Sequence, residues 1–351
     1  MIMGLGARQA TPNEFPHQVS IQINCHHTCG GSLISDKHVL TAAHCVSDFI
    51  KDPNQHSSLR MTVEVGSNHI GGGITHDVKR VSHLNSYNPN KNSPYIFAND
   101  VAVITLAHPV TLSRSVQPIE IAREGPAIGD KFIVSGFGKT NNEGSTSPVL
   151  NKLRMLNVSP GECQRHWPGK IILGTQICAF LTPGYSVCQG DSGGPLIVKK
   201  SDKKYLVGIV SAGTEKCGQG VPDIYTKASA YLPYIEREIA HESTGQGVPD
   251  ALAIDLYSPN GGSPANGDTK CGPPMGVPPS GPPLQFLPMP QEPPNGLPPM
   301  LPDDSVGPRF GFDQPPPPLE GFYPEPPGLF PQQPQNVFPG GAIMYPQQII
   351  G

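Results

Sequence analysis

Of the 43 prolines in this 351-residue chain, 28 follow residue 245, in runs such as CGPPMGVPPSGPPLQF and QPPPPLEGFYPEPPGLF. Proline lacks the N–H that helix and sheet ladders need, so runs this dense exclude a packed core. Folding is thereby confined to residues 1–244, and residues 245–351 are expected to form an extended, disordered tail rich in proline, glycine and glutamine, with no fixed repeat. Charge divides at the same place. Residues 1–244 carry 22 basic and 19 acidic side chains, and the remainder carries 2 and 9. Neither balance suits binding to nucleic acid. Two readings of the tail stand side by side: a solvated spacer, or a tether to a matrix or partner protein through polyproline turns offered by PPPPLEGFYPEPP.

Residues 1–244 alternate short apolar runs (QVSIQI, MTVEV, VAVITL, KFIVSGF, YLVGIV) with turn-rich connections, the pattern of an all-β chain. Eight cysteines point to disulfides and an oxidising, extracellular setting, hence a secreted protein. No apolar stretch approaches the ~18 residues that a membrane helix needs, and MIMGLGARQATPNEF has no signal-peptide pattern. A precursor with a different start is therefore expected. Asn157, in NVS, is a glycosylation sequon set in a strand-like run.

SVCQGDSGGPLIV, residues 186–198, sets Ser192 among Gly190, Gly193 and Gly194. Glycines let a backbone bend tightly and bring N–H groups close to a reacting atom. GDSGG also fits the G-x-S-x-G elbow of parallel-sheet hydrolases, but that order needs a histidine downstream, and only His241 follows. Upstream stand TAAHC, with His44, and NDVAVITL, with Asp100. With CGGSLISDKHVLTAAHC and GDSGGP, this order of histidine, aspartate and serine resembles the trypsin and chymotrypsin family of serine proteases over roughly residues 4–242. Each residue alone has a plain structural reading: a packed histidine, a strand-start cap, a turn serine. The ordered set is what carries the resemblance. A zinc site in CHHTC is the rival for Cys25, His26, His27 and Cys29, but adjacent residues on a strand point to opposite faces, so no metal or other cofactor is expected.

The resemblance implies an all-β fold of two packed six-stranded antiparallel barrels with a short C-terminal helix at YLPYIEREIA. It implies a secreted serine endopeptidase that hydrolyses protein or peptide substrates through an acyl-enzyme. His44 would be the general base, Asp100 its orienter, Ser192 the nucleophile, and the Gly190 and Ser192 N–H groups the oxyanion hole. Ser211 would support Asp100. The other functional class is a catalytically silent homologue that binds a partner or matrix.

The family's bridges map onto Cys29 with Cys45, Cys163 with Cys178, and Cys188 with Cys217. A fourth falls on Phe132 and Val198, so both thiols are replaced together. Cys25 and Cys271 remain, either paired or bridging to another molecule. In the substrate pocket Ser186 occupies the base, Gly213 the mouth and Asp223 a wall position. That arrangement resembles the crab collagenases, which accept basic as well as large apolar side chains. The plain alternative is that Ser186 and water satisfy the Asp223 carboxylate, which gives apolar specificity. Activation in the family frees a hydrophobic N-terminus whose ammonium pairs with the aspartate before the nucleophile, here Asp191. Ile2 is the candidate for that terminus, with the natural precursor extending upstream as a zymogen.

Overall fold

The computed structural model describes residues 8–53, 59–90, 92–245 and 248–256. The chain divides into two units, residues 1–281 and 282–351, and every described residue lies in the first.

Strand β1 (Arg8–Gln9) leads into β2 (Gln18–Ile23), β3 (His26–Leu33) and β4 (His38–Thr41), then a 3-10 turn at Ala43–Cys45 and the short helix α1 (Ser47–Lys51). Next come β5 (Met61–Val65), β6 (Ile74–Leu84) and β7 (Ala102–Leu106). Strands β2 to β7 form one closed antiparallel barrel in the order β6-β5-β2-β3-β4-β7, sealed by pairing of β7 back onto β6. A second set follows: β8 (Glu120–Ile121), β9 (Lys131–Gly136), β10 (Asn151–Val158), helix α2 (Pro160–His166), β11 (Gln176–Phe180), β12 (Pro195–Lys200), β13 (Lys203–Ala212) and β14 (Asp223–Lys227). Six of these close a second barrel, β10-β11-β14-β13-β12-β9, sealed by β9 with β10. Strand β1 pairs with β10 and β8 with β13, both outside the ring. Helix α3 (Leu232–Thr244) and strand β15 (Ala251–Asp255) complete the order. Two six-stranded antiparallel barrels with a short C-terminal helix are thus the architecture.

The apolar runs are buried on both faces because the two barrels share a core. Along β7, Ala102, Ile104 and Leu106 fill the first barrel, while Val103 and the preceding Val101 join a cluster that draws on both barrels. Along β12, Leu196 and Val198 fill the second barrel and Ile197 joins that same middle cluster. Side chains alternate in a strand, so each of these strands serves two cores at once. Phe132 and Val198 are direct cross-strand partners, and two apolar side chains fill the interior there.

Helix α3 has Pro233 in its first turn, where a missing N–H is harmless, and Tyr234, Ile235 and Ile239 turn to the middle cluster. Gly245 ends it in the left-handed conformation (φ 64°), its N–H donating to His241 O at 2.8 Å. The sheet continues past the boundary expected at residue 244: β15 pairs antiparallel with β6, Ala251 opposite Leu84 through Asp255 opposite Arg80. The rest of the tail, from residue 257, lies outside the described residues. Among the described residues no helix is long and apolar enough to cross a membrane. Asn157 is buried, its side-chain amide donating to Ala127 O at 2.7 Å, which removes the sequon's acceptor from the surface.

Candidate active site

Strands β4 and β7 are ladder neighbours, with Thr41 opposite Ala102. The chain turns just after Thr41 to present His44, and enters β7 just after Asp100, so one ladder sets the two side chains together. Asp100 is fully buried and its oxygens are filled. Oδ2 accepts the His44 Nδ1–H at 2.8 Å and the Ser211 hydroxyl at 2.6 Å, and Oδ1 accepts the His44 backbone N–H at 2.9 Å. Thr226 Oγ1 donates to the Asp100 carbonyl at 2.8 Å. Ser211 and Thr226 belong to β13 and β14, so the second barrel helps to hold a carboxylate of the first. Donation of the Nδ1–H to Asp100 makes Nε2 the nitrogen that carries the lone pair in the neutral form of the ring. The Phe97 ring lies 5.6 Å from the His44 ring, and the Cys29–Cys45 disulfide fixes the neighbouring residue to β3.

Ser192 sits on the turn before β12. Its carbonyl accepts the Gly30 N–H of β3 at 2.7 Å, and Gly194 N–H closes the turn onto Asp191 O at 3.0 Å. Two glycines make this approach possible. Gly193 has φ of 76°, and a side chain there would strike the Thr41 hydroxyl and Gly30 O; one on Gly30 would come within 2.9 Å of Gly194 Cα. Backbone at Gly30 therefore meets the backbone of the Ser192 turn across the barrels, with the Thr41 hydroxyl, three residues before His44, beside it.

Gly190 is held from the first barrel as well. His27 Nε2–H donates to Gly190 O at 2.9 Å, and Ser20 Oγ donates to His27 Nδ1 at 2.9 Å. Burial holds the His27 pKa down, which keeps the ring neutral and able to accept from Ser20. Fixing the carbonyl of Gly190 fixes the orientation of that segment, whose N–H groups the sequence marks as oxyanion donors. His27 and Ser20 were missed from sequence. The His-His pair in CHHTC drew the zinc reading instead, and only the fold shows which partner each nitrogen has. Among the described residues the single close group of metal-type donors is Cys29, His44 and Cys45, whose two sulfurs are bonded to each other.

Asp191 is fully buried, with Oδ1 accepting Gly138 N–H at 2.8 Å and Oδ2 accepting Cys188 N–H at 2.9 Å. Burial pushes its pKa up to about 6 against the pull of those two N–H groups. A side chain at Gly136 or Gly138 would occupy the space of its carboxylate. Ile2 lies outside the described residues.

Ser186, Gly213 and Asp223 come together beside this turn. Asp223 is 2% exposed, its Oδ2 accepts Val187 N–H at 3.0 Å, and its Oδ1 lies where a Gly213 side chain would come within 3.2 Å. Burial raises its pKa well above the carboxylate range, opposed by the Val187 N–H and reinforced by the charge of Asp191. The Ser186 hydroxyl accepts Gly218 N–H at 2.7 Å. The Cys188–Cys217 disulfide braces this wall, and Cys163–Cys178 ties α2 to β11. Cys25 is also disulfide-bonded, and Cys271, one of the two partners left open for it, lies outside the described residues. Beyond the pocket, Ala212 packs in a cluster with Ile96 and Trp167, and the indole N–H of Trp167 donates to Pro222 O at 3.0 Å.

Comparison with known proteins bears on most of the described region. The family model described as Trypsin matches residues 5–235. Cationic trypsin-3 of Rattus norvegicus is 33% identical over 241 residues, covering 67% of this chain and 89% of that protein. Trypsin of Phaedon cochleariae is 34% identical over 239 residues, covering 67% and 87%. Among solved structures, neuropsin, a serine protease expressed in the limbic system of mouse brain, matches with a TM-score of 0.58 and 30% identity, over 66% of this chain and 98% of that one.

Proposed function

Because this chain belongs to the trypsin family and is a serine endopeptidase, we propose that Ser192, His44 and Asp100 are the residues that carry its reaction. Ser192 Oγ attacks the scissile carbonyl carbon while His44 Nε2 takes its proton. The tetrahedral oxyanion is received by the N–H groups of Gly190 and Ser192; the C–N bond then breaks, and His44 returns the proton to the leaving amine. Water repeats the sequence on the acyl-enzyme. Asp100 holds the imidazole in the one tautomer that can do this. The observation that carries the reading is the Asp100 carboxylate, buried with His44 and Ser211 as its side-chain partners. A fluorophosphonate probe should label the mature parent at Ser192 and leave Ser192→Ala unlabelled. Labelling of the alanine variant would overturn the assignment, and an unlabelled, fully processed parent would favour the silent homologue.

The substrate class follows from Asp223. A buried carboxylate with one backbone donor and a raised pKa gains most from a cationic partner. The pocket is read as accepting Arg and Lys, with apolar walls that also admit large uncharged side chains. Asp191 is read in the same way as the receptor for a chain-terminal ammonium, with Ile2 as donor after zymogen cleavage. Secretion is proposed from the three described disulfides, which persist in oxidising compartments. Residues 1–244, which hold all the proposed catalytic and pocket residues, together with the strand at Ala251–Asp255, are proposed as the protease domain, and the tail that follows as a spacer or tether to a matrix or partner protein.

A further inference from the structure

Strand β15 lies beyond the helix that closes the two barrels, yet it is attached to both segments that flank the His44–Asp100 pair. On one side it touches α1, which follows His44 within three residues. On the other it runs along β6 into the loop that delivers Asp100. Asp250 O accepts the Asn85 N–H at 2.8 Å, extending the ladder one residue beyond Ala251 opposite Leu84. The next residue, Ser86, receives the Asn99 side-chain amide through both its carbonyl and its hydroxyl at 3.1 Å. Asn99 sits at φ of 59°, and its carbonyl oxygen Oδ1 accepts the Tyr231 hydroxyl at 2.9 Å. Asp100 comes next. His83, opposite Leu252 in the ladder, packs its ring 5.5 Å from that of Tyr87 in the same loop.

The strand is anchored by side chains as well. Val248 is 9% exposed and joins the middle cluster with Tyr231 and Ile235, with Leu84 and Ala251 packed against it. Ile254 and Leu256 pack against the core of the first barrel. A strand docked only by edge hydrogen bonds would fray; one with apolar residues in two cores belongs to the folded unit.

We propose that residues 248–256 are a positioning element of the active site: a clasp that fixes the loop from Asn85 to Asn99, and through it the Asp100 carboxylate and the imidazole it orients. The proposal rests on His44 and Asp100 acting as described under Proposed function. It extends the catalytic unit beyond helix α3 as far as residue 256 at least and makes the start of the tail part of the machinery.

The ladder supplies a paired test. Since Asn85 N–H meets Asp250 O and Leu256 N–H meets Lys79 O, the even-numbered amides of 250–256 face β6 and the odd-numbered ones face away. Proline is tolerated on an edge strand only where its missing N–H faced solvent. In the full-length protein, Leu252→Pro should therefore open the clasp and Ala253→Pro should not. Hydrogen exchange at the Val81, His83 and Asn85 amides reads docking independently of activity. With Leu252→Pro these amides should exchange faster, and kcat/KM per titrated site should fall about tenfold. The acid limb of the pH profile should move as well, because a loosened Asp100 stabilises the imidazolium less. Ala253→Pro should stay within about twofold of the parent. A merely structural role would lower the titre of active sites and leave the per-site constants and the pH profile alone. Val248→Ser with Ile254→Ser opens the same clasp without proline. Parental per-site kinetics in any variant whose amides have opened overturns the proposal, as do amides that stay protected in Leu252→Pro. Failure of the catalytic reading would show separately, as an unlabelled parent.

Discussion

The first barrel holds its carboxylate in a different way from the second. Asp100 accepts the His44 ring N–H, the His44 backbone N–H and the Ser211 hydroxyl, so two of its three donors are side chains. Asp191 and Asp223, in the second barrel, are buried to the same degree, and among the described residues they accept backbone N–H groups, two and one respectively. Burial raises the pKa of both. A buried carboxylate left short of partners favours its neutral form until a cation arrives. On the proposed reading, the first barrel prepares proton handling with side-chain donors on Asp100, while the second offers buried carboxylates to cations, Asp223 for the substrate and Asp191 for a chain terminus.

Four experiments would break or sharpen that contrast. Asp100→Asn should have the largest effect, a loss of ~10⁴ in kcat, because the amide cannot hold His44 in the required tautomer. A loss below tenfold would show that Asp100 is a structural cap. Asp223→Gly should lower kcat/KM for cleavage after Arg or Lys by ~100-fold or more, as expected when a buried ion pair loses one partner, and lower cleavage after Phe, Tyr or Leu far less. Equal losses would place the carboxylate outside the pocket.

The third experiment uses pH. Cleavage after Arg or Lys requires Asp223 ionised, whereas cleavage after Leu does not. The ratio of basic to apolar kcat/KM should therefore climb by about tenfold for each pH unit below the raised pKa of Asp223. His44 enters both rates and cancels in the ratio. A ratio independent of pH would sink the assignment. The smallest effect is on stability. A carboxyl whose pKa is raised on folding contributes stability that is full below its unfolded pKa and is lost as pH rises through the folded value, about 6 for Asp191. An alkylguanidine bound at Asp223 should then raise Tm by a few degrees at pH 8 and much less at pH 4. An equal rise at both pH values would mean that the ligand binds elsewhere.

Much of the site was legible as motif. His44, Asp100 and Ser192 lie in TAAHC, NDVAVITL and GDSGGP, where short-range chemistry is written in adjacent residues. The glycines around Ser192 announced a close approach, and Phe132 and Val198 announced a shared apolar position. The partners of those residues were not legible. Ser20 and His27 are ordinary strand residues until β3 is laid against the turn that carries Gly190. Thr226 reads as a strand threonine, and nothing in its surroundings names Asp100 as its acceptor.

The tail shows the same limit. Proline density marks where ladders cannot form, but its onset was drawn at residue 245, ahead of ALAID. That stretch is five residues long and only weakly patterned, with Leu252 46% exposed. Its pairing depends on an edge of β6 that lies more than 160 residues earlier in the chain.

The sequence by itself determined the side chains available to this protein: the serine, histidine and aspartate of the three motifs, the cysteines and the acidic residue at the pocket position. Those properties reside in single side chains and in neighbours along the chain. The tertiary structure decided which donors each buried carboxylate receives, how glycine meets glycine between the barrels, and that the chain after helix α3 returns as a strand on β6. These are outcomes of burial and of hydrogen bonds between residues distant in sequence, and local propensity carries no information about either.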